Sequence, residues 1–520
     1  MKKIEALILM ALLGIFCLTL CSSSEDDSSE STTTEENSSD SGSSDEDDGY
    51  PVPALDYEVT PTGTDNFIDA PLTLTFSTAP ALGSEGLICI YESDGTLVDY
   101  IDMADVAAEK ETLTNNETIY NTAMDAIGSR SKKRYRIIHY DPVTVSGKSV
   151  IIKPHYASLD YATEYYVTID ESVISHASFA GVDADDDWVF TTKSKPSLTS
   201  SISVDPEDGD FATIQAAIDY ATESSTSSVT ISIADGTYEE KLFMRSRNNI
   251  TFVGESREGT IIQAENSNQL ASGVGASTTS LPTIGETFSA HGGRAVMLIE
   301  SCDNVRFENL TMQNTYDVTG SDRQAEVLYF NASTNDYRLA FVECDLLSGQ
   351  DTFNLKGDCW FYDCLIEGDV DYVWGSPIVA LFEECEMRSI ASGYIVQARC
   401  TESTQKGFVF LNCDLTAADG YTSAKTYLAR SAGSDSYYDN VAYVNCTMSS
   451  VIAGWYTSPT PNPSSATATS GWKMYGNTDS SGSSVSFSNC YSLSDSEYSS
   501  DYASRELIFS HLSDLDWLSE

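Results

Sequence analysis

Residues 341–386 read FVECDLLSGQDTFNLKGDCWFYDCLIEGDVDYVWGSPIVALFEECE and contain the repeat that decides the fold. An acidic residue precedes a cysteine at Cys344, Cys364 and Cys385, and the steps between these three cysteines are 20 and 21 residues long. Short strand-like runs lie between these pairs. A period near 20 residues that is made of short strands is typical of coils that stack on one another. The stretch therefore predicts a right-handed parallel β-helix.

The same pair of a polar residue and a cysteine recurs on both sides of this stretch, with longer steps that indicate loops inserted into the coils. The further pairs end at Cys302, Cys413, Cys446 and Cys490. One interpretation is a disulfide framework, as in many exported proteins. In-register neighbours on stacked strands, however, have parallel Cα–Cβ bonds, which suit a disulfide poorly. We therefore expect a ladder of buried free thiols, and neither a zinc site nor another metal site.

The composition changes upstream of the repeat, which indicates separate domains. Residues 50–196 contain short alternating runs such as residues 72–76, separated by Pro, Gly, Asn and Asp, and this pattern predicts strands. Their end, residues 188–192 (WVFTT), resembles that of bacterial Ig-like modules, which implies a small Ig-like β-sandwich. A spacer role is favoured over carbohydrate binding for this module. A basic cluster, residues 130–136, is expected in an insertion or hairpin. Residues 199–520 form the predicted β-helix domain.

The N-terminus has the features of an export signal. Two lysines precede an apolar run, residues 6–20, that ends at Cys21. Residues 1–21 therefore resemble a bacterial lipoprotein signal with Cys21 as the lipidated residue, and the alternative is a plain secretory signal. Residues 22–49 are rich in Ser, Thr, Asp and Glu, which predicts a disordered acidic tether. We expect an outer-membrane or cell-surface lipoprotein held to the outer membrane by a lipid anchor, and otherwise a secreted protein.

The charge of the chain excludes one large class of partners. The 520 residues include 28 Lys and Arg against 79 Asp and Glu, which gives a formal net charge of −51. A nucleic-acid phosphate backbone selects Lys and Arg, so nucleic acid is not an expected partner. The same balance disfavours unspecific binding to anionic membrane surfaces. The predicted partner is a polysaccharide, and the predicted oligomeric state is a monomer.

Carboxylates are the first candidates for chemistry in the large domain. Only His291 and His511 of the five histidines lie there, and no Gly-x-Ser-x-Gly accompanies them, which disfavours a Ser-His-Asp hydrolase. Asp351 and Asp371 are 20 residues apart, which is one coil of the predicted helix. Two carboxylates on adjacent rungs cannot both ionise freely. One is then suited to act as an acid and the other as a nucleophile or base.

The segments around both aspartates resemble the pectin methylesterase family. Residues 350–353 (QDTF) and 368–375 (GDVDYVWG) are similar to two patterns of that family. Residues 208–218, 249–254 and 305–315 also resemble family segments, in the same order along the chain. The resemblance implies a carbohydrate esterase that hydrolyses methyl esters of a pectin-like polyuronate and needs no cofactor.

The resemblance also implies a role for each matching residue. Asp371 is the expected nucleophile, and Asp351 the expected general acid that later acts as a base. Gln324 and Gln350 are the expected donors to an oxyanion. Arg430 is expected to orient the nucleophile. These roles suit the chemistry, because methoxide is a basic leaving group that needs a proton.

The sequence departs from the family pattern directly after Arg430, where a tryptophan of the substrate cleft is missing. Four other aromatic residues are predicted to contact the substrate: Phe353, Tyr372, Trp374 and Trp455. The altered set of aromatic residues permits a polymer other than ordinary homogalacturonan.

Three alternative functions, two enzymatic and one non-catalytic, stay open at this point. A β-helix polyuronate lyase would need a calcium-binding acidic cluster with a basic proton abstractor, and a glycoside hydrolase would need paired acids without glutamine donors. A non-catalytic surface lipoprotein that binds glycans is the third alternative. The set of Gln324, Gln350 and Arg430 favours the esterase over the lyase and the hydrolase. The intact set of Asp351, Asp371 and Arg430 argues against a non-catalytic protein, whereas the missing tryptophan argues mildly for one.

Overall fold

The structure is a computed structural model. It describes residues 57–114, 124–183, 185, 187–197, 199–271, 273–281, 292–316, 323–332, 337–422 and 425–520. The predicted signal with Cys21, the acidic tether and His291 lie outside the described residues.

Two mainly antiparallel sheets form a sandwich in the N-terminal part of the described chain. The strands of residues 57–192 are β1 (Tyr57–Thr60), β2 (Gly63–Asn66), β3 (Leu72–Phe76), β4 (Ala81–Leu82), β5 (Leu87–Glu92), β6 (Leu97–Asp102), β7 (Met124–Ile127), β8 (Arg136–His139), β9 (Val143–Ser146), β10 (Ser149–Ile152), β11 (Glu164–Ile169), β12 (Ile174–Ser175) and β13 (Val189–Thr192), and helix α1 (Met103–Thr114) follows β6. One sheet has the order β1-β3-β10-β9 and the other β2-β13-β11-β5-β6. Both sheets contribute to one core around Leu74, Val167 and Trp188. The predicted β-sandwich is confirmed.

Strands β7 and β8 form a hairpin that packs against the second domain rather than into the sandwich. The pair is antiparallel and includes part of the basic cluster, as predicted. Ile127 and Ile138 share a core with Phe243 and Leu298 of the following domain. The fully buried Arg136 donates to the carbonyls of the second domain, over 2.9 Å to Gly292, 2.7 Å to Leu242 and 2.9 Å to Val296. The hairpin therefore joins the two domains.

The second domain is a stack of coils that pair in parallel. Its strands are β14 (Ser201–Val204), β15 (Val229–Ile233), β16 (Gly236–Glu239), β17 (Leu242–Arg245), β18 (Ile250–Gly254), β19 (Thr260–Ala264), β20 (Met297–Glu300), β21 (Val305–Glu308), β22 (Thr311–Asn314), β23 (Leu328–Asn331), β24 (Arg338–Val342), β25 (Asp345–Leu347), β26 (Phe353–Tyr362), β27 (Leu365–Glu383), β28 (Glu386–Ala398), β29 (Gly407–Leu411), β30 (Asp414–Ala417), β31 (Thr426–Ala429), β32 (Val441–Val444), β33 (Thr447–Met448), β34 (Trp472–Tyr475), β35 (Thr478–Asp479) and β36 (Tyr491–Ser492). Each coil pairs with the next in parallel, as in the series β15, β18, β21 and β24. The predicted parallel β-helix is confirmed.

A column of aromatic rings runs through the interior of the β-helix. Neighbouring rings are 4.4 to 5.4 Å apart and nearly parallel, which matches the spacing between hydrogen-bonded strands. Each coil supplies one ring at the same position. The members are Phe252, Phe307, Phe341, Phe361, Phe382, Phe410 and Tyr443.

The repeated cysteine pairs mark the corner of each coil. The polar residue of a pair turns the chain with a positive φ, as at Asp363 (48°), Glu384 (54°) and Asn412 (56°). Asp and Asn tolerate this left-handed conformation better than most residues, which explains why the position is polar. The cysteine that follows points inward, and the described cysteines are free thiols. The expected ladder of buried free thiols is confirmed at Cys302, Cys344, Cys364, Cys385, Cys413 and Cys446, whereas Cys490 is a free thiol that is partly exposed.

Short helices cover the ends and one face of the stack. Thr213 caps helix α2 (Ile214–Glu223), which packs against β14, β15 and β17 at the first coil. Helices α3 (Asp495–Asp501) and α4 (Arg505–Ile508) lie near the C-terminus, and Ile508 packs into a cluster on the outer face of the coils. No helix in the described ranges is long and apolar enough to cross a membrane.

Candidate active site

Asp351 and Asp371, called here the aspartate dyad, lie on neighbouring rungs where β26 and β27 run in parallel. Phe353 pairs with Val373, which keeps the offset of 20 residues, and the Asp351 N–H donates to the Val370 carbonyl over 3.0 Å. The two aspartates are only 5% and 4% exposed, and both have a positive φ, 66° and 49°. Such sparsely populated conformations concentrate at functional sites.

Asp371 is held by a guanidinium and an amide. Arg430 Nε donates to both carboxylate oxygens, over 2.8 and 3.0 Å, and Arg430 Nη2 donates to Oδ2. Gln397 Nε2 donates to Oδ2 over 2.8 Å, and Arg399 Nε fixes this amide by donating to its oxygen over 2.8 Å. Burial raises the pKa of Asp371, and the Arg430 guanidinium opposes that rise. This pairing favours an oriented, ionised carboxylate.

Asp351 has a different environment, which favours its neutral form. Arg294 Nη2 donates to Asp351 Oδ2 over 2.9 Å, and Gln324 Nε2 donates to the same oxygen over 3.1 Å. The same arginine is shared with a second buried carboxylate, because Arg294 Nε donates to Glu326 Oε2 over 2.7 Å. Burial raises the pKa of Asp351 well above its usual range and the negative charge of Glu326 raises it further, whereas Arg294 opposes both. Asp351 is therefore suited to carry a proton.

The two glutamines lie side by side at the edge of the dyad. Gln324 and Gln350 form an isolated parallel bridge, and the Ala325 N–H donates to the Gln350 carbonyl over 3.0 Å. Both glutamine side chains are partly exposed. The structure thus brings together all five residues that were predicted to be catalytic.

Two of the four aromatic residues predicted to bind substrate are in the wrong place for that role. Phe353 and Tyr372 have no exposed surface and belong to the core inside the coils. The Tyr372 hydroxyl lies 3.5 Å from the Ser389 hydroxyl in the interior. The prediction failed because the two residues lie on the inner side of their strands, although each is near a catalytic aspartate in sequence.

The two tryptophans differ in their surroundings. Trp455 stacks on Trp472 with ring centroids 4.9 Å apart and meets Tyr443 edge-on at 5.8 Å, and it is 7% exposed, so its contact with substrate stays a prediction. Trp374 lies beside the dyad, where the Arg399 guanidinium is 4.6 Å from its ring centroid. It is 9% exposed and stays a candidate for substrate contact.

Four residues of the site were missed in the sequence. Glu326 was marked by a charge between apolar neighbours in the short segment between Gln324 and β23. Gln397 pairs with Trp374 on the coil that follows the dyad, so adding one further coil length to the position of Trp374 leads to Gln397. Arg399 lies two residues after Gln397 on the same coil. Arg294 carries no such signal, because it is 57 residues from Asp351 and lies outside the strands of the β-helix. In the described part of the chain, no group of three or more His, Cys, Asp or Glu is arranged to hold a metal ion.

Two family profiles match the chain. The Pectinesterase profile matches residues 201–511, and that of a bacterial Ig-like domain matches residues 104–192. The first covers the β-helix and the second covers part of the sandwich.

Individual proteins are similar over the same region. The Probable pectinesterase A of Aspergillus niger is 31% identical over 270 residues, which are 51% of this chain and 76% of that protein. The Pectinesterase QRT1 of Arabidopsis thaliana is 31% identical over 258 residues, 48% of this chain and 61% of that protein. Among solved structures, the pectin methylesterase PemA from Erwinia chrysanthemi aligns with 25% identity and a TM-score of 0.48, over 62% of this chain and 99% of that one.

Proposed function

The chain belongs to the pectinesterase family, and we propose that it hydrolyses the methyl esters of a pectin-like polyuronate to free carboxylates and methanol. One observation carries the proposal. A carboxylate bound by Arg430 lies one rung from a carboxyl group whose pKa is raised, the Gln324 amide donates to that second carboxyl group, and Gln350 pairs with Gln324. An acid, a nucleophile and oxyanion donors are the groups that this hydrolysis needs.

In the first half of the reaction, Asp371 attacks the carbonyl carbon of the ester. The bond from that carbon to the methoxy oxygen breaks, and Asp351 gives its proton to the leaving methoxide, so methanol departs. The product is an anhydride between the uronate and the Asp371 carboxyl group. The amides of Gln324 and Gln350 donate to the developing oxyanion without adding charge, and each donor contributes about 2.7–4 kcal/mol in well-arranged sites.

In the second half, water opens the anhydride. Asp351 is now ionised and takes a proton from the water while the water oxygen attacks the acyl carbon. The bond to Asp371 breaks, which restores its carboxylate, and the uronic acid leaves and loses its proton to solvent. Asp351 is protonated again, so both aspartates return to their starting states.

The charges around the dyad suit an anionic polymer. Arg294 and Arg430 bind the two aspartates, Arg399 holds Gln397, and Arg323 pairs with Asp369 next to the nucleophile. These arginines converge on one site of a chain whose formal net charge is −51. Because Glu326, Asp369 and Asp371 are the paired carboxylates, a neutral Asp351 leaves this site with about one net positive charge, which favours a uronate chain over the strongly negative rest of the protein.

The substrate class is tested by comparing esters. We expect methanol release from methyl-esterified polygalacturonate to be far faster than acetate release from an acetylated neutral polysaccharide such as xylan. Equal rates on both polymers, or activity on the xylan alone, would show that the chain is an esterase of another specificity.

Glu326→Gln is expected to shift the pH dependence of hydrolysis. The alkaline limb of kcat/KM arises where Asp351 loses its proton, as the pH rises through the raised pKa of that carboxyl group. Removing the charge of Glu326 lowers this pKa and removes the competing ion pair of Arg294, so the alkaline limb should move to lower pH. A pH–rate profile of kcat/KM measures the shift.

The matched control for this variant is Glu300→Gln. Glu300 is also buried and paired with an arginine, Arg245, at 2.5 Å, but it contacts neither aspartate of the dyad in any described hydrogen bond. Its profile should keep the alkaline limb of the wild type. An unchanged limb in Glu326→Gln would show that Glu326 does not act on Asp351.

We also propose that the protein is exported and attached to the outer membrane through a lipid on Cys21. The support is the sequence alone: an apolar run after two lysines ends at this cysteine, and an acidic tract of low complexity follows it. Such a tract is a flexible linker that keeps an enzyme at a distance from the membrane.

Cys21→Ala is expected to move the protein from the membrane fraction to the soluble fraction or to leave it unprocessed. Fractionation and metabolic labelling with a radioactive fatty acid measure this. Cys17→Ala is the control, because Cys17 lies inside the same apolar run and should not be lipidated. Unchanged fractionation and labelling of Cys21→Ala would contradict the proposed anchor.

A further inference from the structure

Three tyrosines continue the surface of the dyad along the β-helix. Tyr394 pairs with Val370, which directly precedes Asp371, so it lies on the next rung. Tyr427 pairs with Tyr394 on the rung after that, and Tyr456 forms a parallel bridge with Arg430 one rung further. We call Tyr394, Tyr427 and Tyr456 the tyrosine cluster.

The three rings touch one another and remain open to solvent. Their centroids are 5.8 Å apart for Tyr394 and Tyr427, 5.0 Å for Tyr394 and Tyr456, and 5.0 Å for Tyr427 and Tyr456. All three side chains are partly exposed, unlike the aromatic column inside the coils. Three adjoining aromatic rings are usually buried in a core unless they bind a ligand or a partner.

The cluster is continuous with the nucleophile through one side chain. The Arg430 guanidinium carbon lies 4.8 Å from the Tyr394 ring centroid, while the same guanidinium binds Asp371. A ligand that lies over the cluster therefore extends directly into the site where the ester must be placed.

We propose that the tyrosine cluster is a subsite that binds a neighbouring sugar ring of the polyuronate chain whose ester lies at the dyad. The inference rests on the proposed function. Phenol rings offer an apolar face for the C–H groups of a pyranose and a hydroxyl at the rim for its polar groups. Because the cluster itself adds no charge, it accepts a methyl-esterified sugar as well as a free uronate.

Tyr427→Ala and Tyr456→Ala, made singly, test the subsite. Tyr394 is left in place because its loss would disturb Arg430. Each variant is expected to bind a demethylated oligogalacturonate about tenfold more weakly in calorimetry, and its KM for methyl-esterified oligosaccharide should rise by a similar factor. Tyr427→Phe keeps the ring and should recover most of the affinity. Thermal melts establish that each variant is folded. A loss of affinity in either folded alanine variant alone supports the subsite.

Tyr498→Ala is the matched control. Tyr498 stacks on Tyr475 at 4.3 Å and packs against the outer cluster of the β-helix, so it reproduces the loss of a stacked, solvent-facing tyrosine away from the dyad. Its affinity should equal that of the wild type.

Binding and hydrolysis separate the two claims. If the wild type releases methanol but folded Tyr427→Ala and Tyr456→Ala keep its affinity and KM, the subsite is wrong and the proposed function stands. If the wild type binds the oligosaccharide through the cluster but releases no methanol, the subsite stands and the esterase proposal fails. A wild type that neither binds nor hydrolyses overturns both.

Discussion

Asp371→Asn is expected to lower methanol release from methyl-esterified pectin by about 10⁴-fold or more, with the fold intact. An amide of the same shape cannot attack the ester carbonyl, and it loses the ion pair that Arg430 makes with the carboxylate. The side chain of Arg430 is 33% exposed, so water can solvate the guanidinium that is left without its partner. Circular dichroism and a thermal melt check the fold while methanol is assayed.

Asp363→Asn provides the control for this variant. Asp363 also has a positive φ, 48°, at a corner of the same β-helix, but it is exposed and lies before a cysteine of the ladder. The same chemical change at a similar backbone conformation should leave activity near that of the wild type. If Asp371→Asn kept more than about a tenth of normal methanol release, Asp371 would not be the nucleophile.

Asp351→Asn is expected to lower methanol release by about 10²–10⁴-fold, the usual contribution of a general acid or base. The nucleophile remains, but methoxide leaves without a proton and water attacks the anhydride without a base. An ester with a good leaving group, such as a nitrophenyl ester that enters the cleft, needs no proton in the first step. The variant should then release nitrophenol in a rapid first turnover and slow down afterwards, because opening of the anhydride still needs the base.

The size of that first turnover decides the role of Asp351. A first turnover as slow as methanol release would indicate that Asp351 positions the nucleophile or supports the fold rather than donating a proton. A rapid first turnover followed by normal later turnovers would show that Asp351 is not the base in the second half of the reaction.

Much of the fold could be predicted because each coil repeats one local rule. A polar residue takes the left-handed conformation at the corner, as at Glu343 with a φ of 54°, and an inward cysteine follows it. The pair is therefore visible in the sequence at the corners that precede Cys302, Cys344, Cys364, Cys385, Cys413, Cys446 and Cys490, whereas other turns such as Ser246 lack the cysteine. The spacing of 20 residues between Asp351 and Asp371 then placed them on adjacent rungs, which the strand register confirms.

The direction of side chains near the dyad could not be predicted in the same way. Alternation along a strand assigns faces only where the backbone stays extended. Asp371 has a φ of 49°, and the register between β27 and β28 shifts between Val370 and Val373. Period-two counting through this point fails, so the sequence could not correct the assignment of Tyr372 to the cleft, which came from the family resemblance, although the residue lies in the core.

Contacts between residues on distant coils also could not be predicted from the sequence. Arg294 and Asp351 are 57 residues apart and meet only because several coils of unequal length stack in register. The hairpin of β7 and β8 is a second example, because nothing in its sequence indicates that Arg136 binds carbonyls of the other domain. Side-chain contacts between residues this far apart in the sequence depend on the assembled fold and not on a local sequence pattern.

The central claim is that the dyad cleaves methyl esters and leaves the sugar chain intact, and one measurement of products tests it most directly. The full chain is incubated with methyl-esterified polygalacturonate, and methanol, new carboxylates, reducing ends and unsaturated uronates are measured together. The account predicts methanol and carboxylate in equal amounts, with no increase in reducing ends or in unsaturated uronates. New chain ends without methanol would identify a lyase or a glycoside hydrolase instead, and no product of any kind would contradict the assignment of an enzyme.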